Sequence, residues 1–96
     1  MLVLVTYDVN TENKEGRRRL RKVALACKDY GQRVQFSVFE CVVSDAELVR
    51  LRARLVKLID NGKDNLRIYL LDEAARKRVE HYGISRSVDF EGSLQV

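Results

Sequence analysis

The chain has 96 residues, 46% of them hydrophobic and 33% charged, with no proline and a formal net charge of +4. That length supports one domain with a single core and excludes a site built between two lobes. The composition excludes a disordered or fibrous chain, and no apolar run approaches the roughly 20 residues of a membrane span.

Residues 1 to 9, Met-Leu-Val-Leu-Val-Thr-Tyr-Asp-Val, form a Val-rich apolar run that stops at an acid before any helical period is established. Such a run predicts a central strand buried on both faces, with Asp8 at its carboxyl end. An acid there has two readings: the start of a turn or helix cap, or one half of a metal site. The run has none of the positive region, apolar stretch and cleavage motif of a secretory signal, which predicts a cytoplasmic location.

Val9 to Asn13 is a short polar connection with N-cap candidates Asn10, Thr11 and Asn13. A helix is predicted from there to about Tyr30, with the apolar stripe Leu20, Val23, Ala24, Cys27 and Tyr30 and with Gly31 as its stop. Between residues 17 and 33 stand Arg17, Arg18, Arg19, Arg21, Lys22, Lys28 and Arg33 against the single acid Asp29. Arg18, Arg21 and Lys22 point away from the stripe and Arg17 and Arg19 flank it, a surface suited to a polyanion.

Residues 33 to 43 alternate as a strand does, but Val34, Phe36 and Val38 share one parity whereas Phe39, Cys41 and Val43 share the other. A change of phase requires a bulge, a bend or a tight reversal near Ser37 to Phe39. Ser44-Asp45-Ala46-Glu47 has capping-box spacing, and Leu48, Leu51, Leu55, Leu58 and Ile59 form the stripe of a second helix that ends at Asp60-Asn61-Gly62. A strand follows over Leu66 to Leu71. Asp72 then caps a helical stretch through Tyr82, closed by Gly83 and carrying Arg76, Lys77 and Arg78 as a second basic patch. Residues 87 to 91 and 94 to 96 alternate again and suit a strand added to another chain's sheet.

If the break near Ser37 is a reversal, the order becomes βαββαβ: an α+β ferredoxin-like fold, its antiparallel sheet carrying both helices on one face. The other sheet face then invites a second copy, and a twofold axis near Asp8 would bring two carboxylates together to recruit a cation. Tyr7 and Phe39 are candidates for stacking on bases, although core packing is the default for Phe36 and Phe39. Cys27 and Cys41 lack metal-ligand and C-x-x-C spacing, and His81 is the sole histidine. Zinc chemistry and a Cys or Ser triad are therefore disfavoured.

Three segments together resemble the CRISPR-associated protein 2 family: the opening Leu-Val-Thr-Tyr7-Asp8-Val9, the helix segment Arg17-Arg18-Arg19-Leu20-Arg21-Lys22-Val23, and Gly31-Gln32-Arg33-Val34-Gln35-Phe36-Ser37-Val38-Phe39-Glu40-Cys41. The resemblance runs from end to end. It implies a single domain over residues 1–96, with a core over 1–83 and a strand segment over 84–96 exchanged in a homodimer. It also implies a magnesium-dependent endonuclease acting on RNA or DNA, with Asp8 as metal ligand and catalytic residue, Tyr7 and Phe39 beside it, and Mg²⁺ or another divalent cation as cofactor. Tyr7, Arg17, Arg19, Arg33 and Phe39 match family positions implicated in activity or binding, and Arg18 of the same helix and the second patch Arg76, Lys77 and Arg78 are added as nucleic-acid-binding candidates. A second role follows from the same resemblance, that of a non-catalytic scaffold bridging the CRISPR-associated integrase during spacer acquisition. A ferredoxin-like regulatory or toxin-type RNA-binding protein is a more distant alternative.

Overall fold

The computed structural model describes residues 1–84. Seven elements follow one another: β1 (Leu2–Asp8), α1 (Lys14–Lys28), β2 (Gly31–Gln35), β3 (Val38–Val42), α2 (Asp45–Leu58), β4 (Asn65–Leu71) and the single turn α3 (Glu73–Arg76). The strands form one sheet in the order β2-β3-β1-β4, with every neighbouring pair antiparallel. This is the expected ferredoxin-like arrangement.

The apolar opening run becomes a central strand, paired on both sides, because it carries apolar residues at both parities. Val3, Val5 and Tyr7 face the helices, opposite Cys41 and Phe39 of β3 and Leu70, Ile68 and Leu66 of β4. Leu2, Leu4, Thr6 and Asp8 take the other face. The core closes between the first parity and the helices, with Val23, Ala26 and Cys27 of α1 and Leu48, Leu51 and Leu55 of α2 all buried. Leu20, Ala24, Tyr30, Leu58 and Ile59 border it, half-buried. Burial of this apolar surface is the main stabilising contribution, about 25 cal/mol per Å² removed from water.

Each long helix starts where side-chain chemistry satisfies its free amides. Asn13 caps α1 by accepting from the Gly16 N–H at 2.9 Å. Ser44 caps α2 in the expected reciprocal pattern: its Oγ accepts from the Glu47 N–H at 3.2 Å, and Glu47 Oε1 accepts from the Ser44 N–H at 2.8 Å.

The break in the 33–43 segment is a reversal and a bulge at once. β2 and β3 are joined through Phe36 and Ser37, and the register shifts between Arg33 and Gln35, leaving Val34 as the extra residue. Phe36 therefore sits in the turn, 72% exposed, not in the core.

Two expected boundaries differ. Helix α1 ends at Lys28, with Asp29 as its cap, so Gly31 does not terminate it and instead opens β2. What demands glycine there is proximity: a β-carbon would collide with the Glu40 carbonyl and with Cys41. The helical stretch after Asp72 stops at Arg76 and does not reach Tyr82. It buries no residue, and without an apolar face to dock, a short helix cannot offset the cost of its own nucleation.

Residues 85–96, which contain the strand expected to be exchanged with a second copy, lie outside the described residues. Among the described residues, no helix is long and apolar enough to cross a membrane.

Candidate functional site

Asp8 is the last residue of the central strand, exposed, on the face of the sheet that carries no long helix. Among the described residues its ladder partner is Asn65 of β4, because pairing with β3 ends two residues earlier, at Thr6 and Val38. Beyond that step the chain on the β3 side turns away, and the Tyr7 N–H donates to the Ser37 carbonyl of the hairpin turn at 3.1 Å. The helix-capping reading of Asp8 fails, since Asn13 caps α1 and Asn10 Oδ1 accepts from the Glu12 N–H in the intervening loop at 2.9 Å. Among the described residues the Asp8 carboxylate has no hydrogen bond or ion pair, so its lone pairs are left for water or a cation.

Tyr7 and Phe39 lie under the opposite face. Tyr7 is 6% exposed and Phe39 1%, their rings stacked with centroids 6.3 Å apart and planes 23° from parallel. The Arg33 guanidinium sits 5.1 Å from the Phe39 centroid, a cation–π contact at the border of the core. The Tyr7 hydroxyl donates to the Phe36 carbonyl at 3.4 Å. Burial raises the Tyr7 pKa, the neighbouring Cys27 adds to this, and Arg33 opposes it. Tyr7 and Phe39 thus pack in the core beneath the strand end and are not brought together with Asp8, whose side chain leaves on the other face. A nucleobase has no access to either ring.

The basic residues divide into exposed and committed. Arg18, Arg21 and Lys22 are exposed on α1, and Arg17, also exposed, donates through Nη1 to the Thr11 carbonyl at 3.2 Å. Arg19 turns the other way. It makes a two-pronged ion pair with Asp64, Nε to Oδ2 at 2.8 Å and Nη2 to Oδ1 at 3.2 Å. Asp64 has no exposed side-chain surface. Its burial would raise its pKa, but the Arg19 guanidinium and the backbone amides of Asp60 and Asn10 outweigh this and hold the carboxyl below the usual range. Nothing in the local sequence singles out Asp64, because its partners lie 4, 45 and 54 residues away. The second basic patch is partly neutralised: Arg76 is 3.5 Å from Glu73 and Arg78 is 4.0 Å from Asp72, while Lys77 is exposed.

Cys27 and Cys41 are both buried, and burial pushes their thiols up to about 12 and about 11 respectively. A thiol held that high is neither nucleophile nor ready metal ligand at neutral pH. Among the described residues no group of three or more His, Cys, Asp and Glu side chains could hold a metal ion. Among the described residues, Asp8 stands as an exposed carboxylate at the end of the central strand.

Comparison with known proteins agrees with this fold. The family described as CRISPR associated protein Cas2 matches residues 1–79. The CRISPR-associated endoribonuclease Cas2 1 of Moorella thermoacetica is 52% identical over 94 residues, 98% of each chain. The CRISPR-associated endonuclease Cas2 of Halalkalibacterium halodurans is 54% identical, again over 98% of each chain. Among solved structures, the crystal structure of Streptococcus pyogenes Cas2 at pH 6.5 superposes with a TM-score of 0.75 at 58% identity, covering 86% of this chain and all of that one.

Proposed function

The chain belongs to the CRISPR associated protein Cas2 family, and from that premise we propose that it is a CRISPR-related nuclease. In this reading it is a homodimer in which Asp8 of both copies holds a magnesium ion and phosphodiester bonds in RNA or DNA are cleaved. The observation that carries the proposal is the exposed Asp8 carboxylate, free of any capping duty, at the end of the central strand. Relatives named endoribonuclease and endonuclease support the reaction class.

The donor set suits magnesium in kind and falls short in number. Mg²⁺ takes hard oxygen ligands, retains several waters and is commonly held by one or two carboxylates together with substrate phosphate. One chain supplies one carboxylate, and a twofold axis near Asp8 would supply the second; the exposed Val42, Tyr69 and Leu71 on the same face favour coverage by another copy. The bound ion would offset charge on a phosphoryl oxygen and lower the pKa of a water. Arg17 and Arg18 of α1 would hold phosphates by charge-assisted hydrogen bonds, with Lys77 and its neighbours Arg76 and Arg78 as a weaker second contact. Arg33 would act from the edge of the core. Tyr7 and Phe39 would serve by fixing the strand beneath Asp8. The proposed setting is the cytoplasm.

The test is cleavage of single-stranded RNA and duplex DNA by wild type and Asp8→Ala, with magnesium added or chelated. Asp8→Ala should lose cleavage and keep the fold and most binding. Magnesium-dependent cleavage retained by the variant would remove Asp8 from the mechanism.

The exposed cationic side chains of α1 favour a second reading, a scaffold that holds DNA for the CRISPR-associated integrase during spacer acquisition. In that case Asp8→Ala should still support integration, whereas charge reversal at Arg17 and Arg18 should not.

A further inference from the structure

We infer that Asp64 and Arg19 form a clasp that positions the loop leaving Asp8, so that both act on the reaction through that loop and not by touching nucleic acid. The catalytic consequence rests on the nuclease reading of Asp8; the clasp itself rests on the following geometry.

An ionised carboxylate has about four lone-pair positions, and four donors reach Asp64. The Asn10 N–H donates to Oδ1 at 3.0 Å and the Asp60 N–H to Oδ2 at 2.8 Å. Arg19 supplies the other two. These donors come from the loop after β1, the turn before β4, and helix α1, and Asp64 is the point where all three are tied.

The clasp meets the strand end along two routes. Asn10 follows Asp8 by two residues in the chain, and Asn65, adjacent to Asp64, stands across the ladder from Asp8. The loop is further fixed from within by the Asn10 and Asn13 side chains, and by Gly16, where a β-carbon would collide with the Asn10 carbonyl. Stability alone is a weak reason for a buried ion pair, because apolar side chains of similar volume are often as stabilising. What the pair adds is direction, since a two-pronged guanidinium fixes the plane of the carboxylate and hence the Asn10 amide bonded to it. Arg19 has two donors engaged by Asp64, which leaves it ill-suited to grip a phosphate with the same fork.

The discriminating variant is Arg19→Lys, compared with Asp64→Asn, Arg18→Ala and wild type. Lysine keeps the charge that a phosphate contact needs and loses the fork that the clasp needs. Four readouts are taken on the purified full chain well below each melting temperature: salt dependence of Kd for single-stranded RNA, single-turnover cleavage with magnesium, amide exchange over residues 9 to 13, and the melting temperature itself.

Arg19→Lys and Asp64→Asn should keep the wild-type salt slope, speed exchange over residues 9 to 13, and slow cleavage by up to about 10²-fold, the cost of misplacing a reacting group. Arg18→Ala should lower the salt slope by about 0.7 without speeding that exchange. Near-normal exchange and cleavage in Arg19→Lys would overturn the inference. So would a reduced salt slope in Asp64→Asn. If wild type itself does not cleave, the nuclease reading fails, and the clasp then stands or falls on exchange and salt slope. If Asp64→Asn does not fold, Arg19→Lys decides alone.

Discussion

Asp64 keeps its charge although its side chain has no exposed surface, and that has a thermodynamic signature. Its folded-state pKa lies below the ordinary carboxyl value of 3.8. A depressed carboxyl contributes stability that is fully present above the unfolded value and is lost as pH falls through the folded one. The unfolding free energy of wild type should therefore drop in the window below about pH 4. Asp64→Asn should be less stable at neutral pH, by about 2–3 kcal/mol since a buried partner is left unpaired, and should show a shallower loss on acidification. Denaturant titrations of both proteins from pH 6 to pH 2 would measure this; parallel pH profiles would show that Asp64 is not a stabilising carboxylate. Asp8 was legible in the sequence because it interrupts an apolar run. Asp64 was not, because its role is set by groups up to 54 residues away that only the fold assembles. Phe39 was legible as a core residue and is buried, whereas Phe36, given the same default, is exposed because it stands in the reversal between β2 and β3, which the phase change announced without placing.

At the scale of elements, local chemistry was readable wherever it is local. The Ser44 to Glu47 spacing specified both hydrogen bonds of a capping box, and both are made. Ser44→Ala should lower stability by about 1 kcal/mol, a drop of roughly 5 °C in melting temperature for a domain of this size. Circular dichroism melts would measure it, and affinity for nucleic acid should not change. No change in melting temperature would mean that packing of Leu48, Leu51 and Leu55 holds α2 without its cap. The β2–β3 hairpin was only half legible. Its phase change announced a break, but the residues that reverse the chain, Phe36 and Ser37, include no glycine, and the turn is secured from outside by the Tyr7 N–H. The stretch after Asp72 erred the other way. Its cap is real, with Asp72 Oδ1 accepting from the Ala75 N–H at 2.9 Å, but a cap without a docked face sustains only one turn.

At the scale of the whole molecule, the two faces of the sheet divide the work. One is sealed by α1 and α2 and carries the core. The other bears Asp8 together with apolar side chains such as Val42 and Tyr69, which are 50% and 41% exposed. If a second copy covers that face and completes the proposed site, cleavage is a property of pairs of chains, and this can be tested without knowing the geometry of the pair. Wild type and Asp8→Ala are mixed in varied proportion, dissociated and allowed to reassociate at constant total protein. If both carboxylates are needed, activity should follow the square of the wild-type fraction, leaving about a quarter in an equal mixture of randomly paired subunits. If each Asp8 works alone, activity falls in proportion and about half remains. Sedimentation at the assay concentration establishes that pairs are present, and native mass spectrometry, which separates the mixed pair from both pure pairs by the Asp-to-Ala mass difference, establishes that they have exchanged. A linear dependence in a paired sample would place the whole ligand set within one chain, with Asp8 and substrate phosphate holding the ion between them. Pairing would then matter for binding nucleic acid and not for cutting it.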